Sequence, residues 1–165
     1  MVSHPDEDTL QFAMRLSDSS FKKSVVEMAI GDTATIFAPM GNFTLKGKNK
    51  RIVFLASGIG ITPVLPMLKT LVQQQFAGEV VVFYSNKTEA SAAFHSDLQH
   101  STLANYTYLP VFTATQKRLN TDFLKEHLHT LTDCDYYIVG TNSFTKAMQE
   151  LLLNEKVPAK FIFKD

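Results

Sequence analysis

Arg51-Ile52-Val53-Phe54-Leu55-Ala56-Ser57-Gly58-Ile59-Gly60-Ile61-Thr62-Pro63-Val64-Leu65, continuing to Leu71, decides how the chain is read. The run from Ile52 to Ala56 has the composition of a buried parallel strand, and a two-glycine turn follows at once. Thr62 suits a helix N-cap and Pro63 the first helical position, after which Val64, Leu65, Leu68, Leu71 and Val72 return at helical spacing. Glycines at 58 and 60 permit tight backbone geometry, so a diphosphate would approach exposed amides and the positive end of a helix dipole. A bare Gly-x-Gly also closes ordinary strand-to-helix turns. Here it stands between a strand and a helix, as a phosphate site requires, with Pro63 where the usual dinucleotide fingerprint has its third glycine.

Downstream of Arg51 the chain alternates strands and helices. Strands are expected at Val80 to Tyr84, Tyr106 to Phe112, Tyr136 to Val139 and Ala159 to Phe163. Helices are expected at Ala90 to Leu98, Thr121 to His127 and Ser143 to Leu153, the last carrying Met148, Leu151 and Leu152 on one side. Such alternation predicts an α/β fold, a parallel sheet covered by helices on both faces, with ligands at the carboxyl ends of the strands.

Upstream the pattern differs. Leu10, Phe12, Met14 and Leu16 alternate with Thr9, Gln11, Ala13 and Arg15, as in a strand with one buried face. Ser17-Asp18-Ser19-Ser20 offers N-caps for a helix carrying Phe21, Val25, Val26 and Met28. Gly31-Asp32 turns the chain into a strand-like Thr33 to Phe37, and Pro39-Met40-Gly41-Asn42 makes another turn. Lys46 to Lys50 has linker composition, which places a boundary between residues 1–47 and 48–165.

The 165 residues are 45% hydrophobic, ample for a core, with basic and acidic side chains balanced at 16 each. That balance argues against a nucleic-acid surface. No apolar run reaches the roughly 20 residues of a membrane span, and His4-Pro5-Asp6-Glu7-Asp8 is unlike a secretion signal, so a cytoplasmic protein is expected. Cys134, the only cysteine, reads as a small core residue. His127-x-His129, His95 and His100 lack metal-ligand partners and read as surface residues, while His4, Asp6 and Asp8 read as a polar turn; no metal site is expected. No serine occupies a nucleophile elbow.

Gly58-Ile59-Gly60-Ile61-Thr62-Pro63 resembles the Gly-x-Gly-x-x-Pro segment of the ferredoxin-NADP reductase-like superfamily, which receives the pyrophosphate and nicotinamide end of NAD(P)H. The order of pieces resembles it too. Gly31-Asp32 with Pro39 to Phe43 is similar to the family's Gly-Asp and Gly-Pro-x-Gly-x-Phe stretch, Ala38 replacing a glycine, and Val139-Gly140-Thr141 falls where the family often has Cys-Gly-Pro. The resemblance implies a partial antiparallel β-barrel flavin domain ahead of an NAD(P)-binding α/β domain, the chain being truncated at both ends relative to a complete reductase. The family's Arg-x-Tyr-Ser/Thr flavin motif, which would precede Val2-Ser3, is absent, and Ser3 stands as the cofactor-binding candidate that the resemblance implies beside it. Ser17 to Lys22 resembles the second flavin segment, so Ser19, Ser20 and Lys22 either meet the FAD diphosphate or simply cap and solvate a helix start. Ser85, Asn86 and Lys87 lie where the family reads the adenosine ribose, Lys87 either attracting a 2'-phosphate or facing solvent.

The implied cofactors are therefore FAD and NAD(P)H, with hydride passing from nucleotide to flavin and electrons onward to an unidentified acceptor. Gly58, Gly60, Thr62 and Pro63 are the pyrophosphate and nicotinamide candidates, Gly140 and Thr141 face them, and Ser85 with Lys87 serves the adenosine end. Direct hydride transfer needs no side-chain acid or base, so no catalytic residue is assigned; Ser3 and Thr62 are the nearest by resemblance. A catalytically silent nucleotide-binding or electron-transfer subunit is the second reading. A response-regulator-like phosphate-binding module is the third, and it leaves the β-rich opening unexplained.

Overall fold

The computed structural model describes residues 1–37 and 41–165. Its centre is a five-stranded sheet made of β1 (Arg51–Ser57), β2 (Glu79–Asn86), β3 (Tyr106–Phe112), β4 (Cys134–Val139) and β5 (Ile162–Lys164). The spatial order is β3-β2-β1-β4-β5 and every pairing is parallel. Parallel strands need covering on both faces, which is why β1, β2 and β4 are almost continuously apolar rather than alternating.

Strand alternation divides the core in two. Phe54, Val82, Tyr84 and Tyr137 point to the face covered by α2 (Val64–Gln73) and the five-residue α3 (His95–Gln99). Val53, Leu55, Phe83, Tyr136 and Ile138 point to the face covered by α4 (Thr121–Leu128) and α5 (Asn142–Asn154). α2 buries Val64, Met67, Leu68 and Leu71, the i, i+3, i+4, i+7 stripe that an amphipathic helix lays on a sheet. Both flanks of the sheet are modest: β5 has three residues, and β3 carries Pro110 within it.

Three expected elements come out differently. The helix expected over Ala90 to Leu98 is split into a 3-10 turn at Glu89–Ser91 and α3. Ser91 Oγ accepts from the Thr88 amide at 3.1 Å, closing a local turn, and Phe94 then takes φ +59° so that its ring packs against the core. The last strand begins only at Ile162, after a 3-10 turn at Ala159–Phe161. Among the described residues 1–50 there is no strand; the partial β-barrel expected there is represented by one helix, α1 (Ser20–Glu27), and by extended chain. Leu10, Phe12 and Leu16 do alternate, yet each is more than half exposed, because a half-buried strand forms only where a neighbouring strand takes its backbone bonds and an apolar face covers its side chains. The expected Pro39-Met40 turn and Ala38 lie outside the described residues.

Two stretches of this N-terminal region are tied to the α/β body. His4, buried at 7% exposure, places Nε2 3.0 Å from Thr70 Oγ1 of α2, and Glu7 pairs with Lys69 at 2.6 Å. Further on, Tyr137 Oη accepts from the amides of Lys46 (2.8 Å) and Gly47 (2.9 Å), while the buried Asp135 carboxylate accepts from the Asn49 amide (2.7 Å) and side chain (2.9 Å). The segment whose composition suggested a loose linker is thus bonded to β4.

Candidate functional site at the carboxyl ends of the strands

β1 hands over at Ser57 to a 3-10 turn, Gly58–Ile61, which runs into α2 through Thr62 and Pro63. Thr62 is not an N-cap. Its backbone is helical (φ −55°, ψ −45°), its side chain makes no capping bond, and its amide donates to Ile59 O at 3.2 Å. The first amides of such a turn have no acceptor within it and turn to partners outside it. Tyr84, reaching across from β2, braces the turn by donating from its hydroxyl to Gly58 O at 2.9 Å. Burial of that phenol raises its pKa and keeps it a donor.

On the other side of the crevice β4 ends at Val139, and Thr141 caps α5 by accepting from the Phe144 amide at 3.3 Å. The two turns touch through glycine. A Cβ on Gly60 would lie 2.7 Å from Gly140 Cα and 2.8 Å from Gly140 N; a Cβ on Gly140 would lie 2.1 Å from Ser57 Oγ. The helices that follow β1 and β4 therefore begin side by side, and both direct positive dipole ends into one space. This is the point where strand order reverses, the place at which open α/β sheets hold their ligands.

That space is a cavity of about 750 Å³. Gly58, Gly60, Thr62, Pro63, Gly140 and Thr141 all line it, and so do Ser85 and Lys87 from the end of β2. The sequence candidates for the nucleotide are thus brought together. The flavin candidates are not among the lining residues. Ser3 is 2% exposed and its hydroxyl accepts from the Gln11 amide at 3.0 Å. Ser19 caps α1 by accepting from the Lys22 amide, Lys22 Nζ donates to Arg15 O, and Ser20 is exposed. Expected surface histidines differ too: His95 is partly buried, its Nδ1 2.7 Å from Tyr108 Oη. Among the described residues no group of histidine, cysteine and carboxylate side chains is placed to hold a metal.

Sequence reasoning missed Arg15, Thr113 and Arg118 as wall residues. Arg15 belongs to the upstream region, yet its guanidinium nitrogen stands 3.6 Å from where a Gly58 Cβ would be. Nothing in its alternating surroundings marks it. Arg118 was legible in principle, since it follows β3 in a loop at the same end of the sheet. Three cations, Arg15, Lys87 and Arg118, face one carboxylate, Asp165, so the cavity carries a positive bias suited to an anionic ligand. A dinucleotide fits the donor set: main-chain amides, two helix starts, hydroxyls and separated cations.

A family model described as the oxidoreductase NAD-binding domain matches residues 54–150. The flavohemoprotein of Bacillus subtilis is 32% identical over 136 residues, covering 74% of this chain and 34% of its own length. The anthranilate 1,2-dioxygenase electron transfer component of Acinetobacter baylyi is 25% identical, covering 94% of this chain and 48% of that protein. Among solved structures, the cytochrome b5 reductase domain of Ulva prolifera nitrate reductase superposes with a TM-score of 0.73 at 19% identity, over 89% of this chain and 64% of that one. The chain spans about a third of the length of the flavohemoproteins it matches. The matched segment runs through the glycine turn, the crevice and α5, and with it the chain belongs to the oxidoreductase NAD-binding domain family, within the ferredoxin-NADP reductase-like superfamily.

Proposed function

We propose that the chain is the nucleotide-handling part of a flavin-dependent oxidoreductase that takes hydride from NAD(P)H and passes electrons to a separate redox protein. The observation that carries this is the contact of Gly60 with Gly140, which leaves a crevice floored by main chain between two helix starts. In it, amides of the Gly58 to Ile61 turn would receive the pyrophosphate, joined by Arg15; Thr62 and Pro63 border the nicotinamide end, with Gly140 and Thr141 opposite; Ser85 and Lys87 serve the adenosine end. FAD, when bound, supplies a two-electron acceptor that can release electrons onward. This chain's residues bind and orient the donor, and none of them must move a proton.

Residues 1–47 are assigned to the flavin side, with the boundary at the segment clasped by Asp135 and Tyr137. Exposed Leu10, Phe12, Leu16, Phe21 and Phe37 support that assignment, because a surface this apolar is suited to covering by further domain structure. Within it Ser19, Ser20 and Lys22 at the start of α1 are the flavin contacts, and Ser3, whose hydroxyl is already engaged, is a support for the 2–11 loop. The described residues do not converge on a flavin cavity, which favours one second reading: a nucleotide-binding subunit whose flavin site is lost or completed by another chain. No described helix is long and apolar enough to cross a membrane, and a single buried cysteine suits the cytoplasm proposed for it.

Purified protein reconstituted with FAD is expected to be yellow and to bleach anaerobically on adding NAD(P)H. A colourless protein that still binds NAD(P)H by calorimetry would establish the second reading. No nucleotide binding at saturating dose would sink both.

A further inference from the structure

We propose that the adenosine end of the cavity is built for a 2'-phosphate, so that the coenzyme is NADPH; this rests on the nucleotide reading above. β2 and β3 finish in register, Asn86 opposite Phe112. Just beyond them the Thr113 amide donates to Asn86 O at 2.8 Å and the Ala114 amide to Lys87 O at 2.9 Å, so the two strand ends stay joined past the sheet. The chain then curls tightly: the Gln116 amide donates to Phe112 O at 2.8 Å, and Gln116 Oε1 accepts from the Phe112 amide at 2.7 Å. Leu119, buried at 6% exposure, pins the end of this curl and leaves the exposed Arg118 in the wall that also holds Asn86, Lys87 and Thr113.

Asn86 is the telling residue. It is 5% exposed, it lines the cavity, and neither its carboxamide oxygen nor its nitrogen has a hydrogen-bond partner. A buried amide left this way is costly, and the cost is relieved if a ligand supplies both an acceptor for the N–H and a donor for the oxygen. A ribose edge offers that pair, through two hydroxyls or through a phosphate and a hydroxyl, so Asn86 marks the ribose and the neighbouring cations decide for the phosphate. Lys87 and Arg118 supply the charge: neither lies within ion-pair distance of a carboxylate among the described residues, and a guanidinium fork matches two phosphate oxygens. No aspartate or glutamate ends β2, the position from which a carboxylate would bond a free 2'-hydroxyl and repel a 2'-phosphate. Arg15, beside Gly58, lies at the pyrophosphate turn and is left to that group.

Titration calorimetry of the intact chain with 2',5'-ADP and with 5'-ADP tests the assignment. Tighter binding of 2',5'-ADP by about ten-fold or more is expected, the scale of one or two charge-assisted hydrogen bonds, falling steeply with added salt. Arg118→Ala should weaken 2',5'-ADP at least about five-fold more than it weakens 5'-ADP, since the fork addresses the extra phosphate above the general positive bias of the cavity. Lys87→Glu, a surface change that does not threaten folding, should invert the preference. Equal affinity for the two ligands in the unsubstituted chain would overturn the 2'-phosphate assignment while sparing the nucleotide site. Binding of neither would overturn both.

Discussion

Gly60 shows how a residue can be picked for one reason and needed for another. The sequence marks it as room for phosphate; the structure shows its missing side chain is also room for Gly140. In Gly60→Ala the new Cβ meets backbone atoms of β4's turn, which cannot swing aside as a side chain would. We expect destabilisation of about 1–3 kcal/mol, as in other overpacked sites, together with loss of nucleotide affinity as the crevice is forced open. Gly58→Ala is the internal control. Its Cβ would meet only the Arg15 guanidinium at 3.6 Å, so the cost reduces to the φ of +53°, about 1–2 kcal/mol. Thermal melting with NADPH titration separates them: Gly60→Ala should lose binding out of proportion to stability, and wild-type binding in that variant would remove the glycine contact from the account. Thr62 illustrates the reverse case. Threonine before proline reads as an N-cap, but a 3-10 turn already feeds α2, so the capping role has nothing to satisfy.

The elements were most legible where periodicity and length agree. β1, α2, α4 and α5 stand within a few residues of their expected spans, because each couples an apolar pattern to a defined start. α3 was not legible, since Ser91 and Phe94 break it by a side-chain bond and a positive φ that composition does not announce. Lys46 to Lys50 misled in a more instructive way. Its charges face water while its backbone amides and the Asn49 side chain face β4 and carry the attachment. Asp135→Ala should therefore cost about 1–3 kcal/mol through the unpaired Asn49 amide, with faster hydrogen exchange at Gly47 and Asn49. Unchanged exchange at those two positions would show that Phe43 and Leu45, packed on the core beside Tyr137, hold the segment without the carboxylate.

For the whole molecule, the alternation of elements announced a parallel sheet, and the strand order that places the crevice between β1 and β4 follows from the family pattern rather than from any single residue. The upstream region was the least legible, because its alternation is not matched by burial: Leu10, Phe12 and Leu16 all stand exposed. Global stability carries its own signature of the core. Desolvation holds the Cys134 thiol up at about 11 against an ordinary 9.0, and it raises Tyr106, Tyr108 and Tyr136 as well. The folded chain then keeps a proton that the unfolded chain releases, so stability is full below about pH 9 and declines as pH rises toward 11. Denaturant midpoints at pH 8, 9.5 and 10.5 should fall in that order; a flat profile would mean these groups titrate alike in both states.

Both flanks of the sheet have a bearing on life in a crowded solution. Pro110 interrupts the row of donors along β3, and β5 ends after three residues, so neither rim offers a long template onto which a second molecule's chain can zip. Any stickiness of this protein at high concentration should originate from the greasy stretch between Leu10 and Phe37, and a solubility screen is best aimed there.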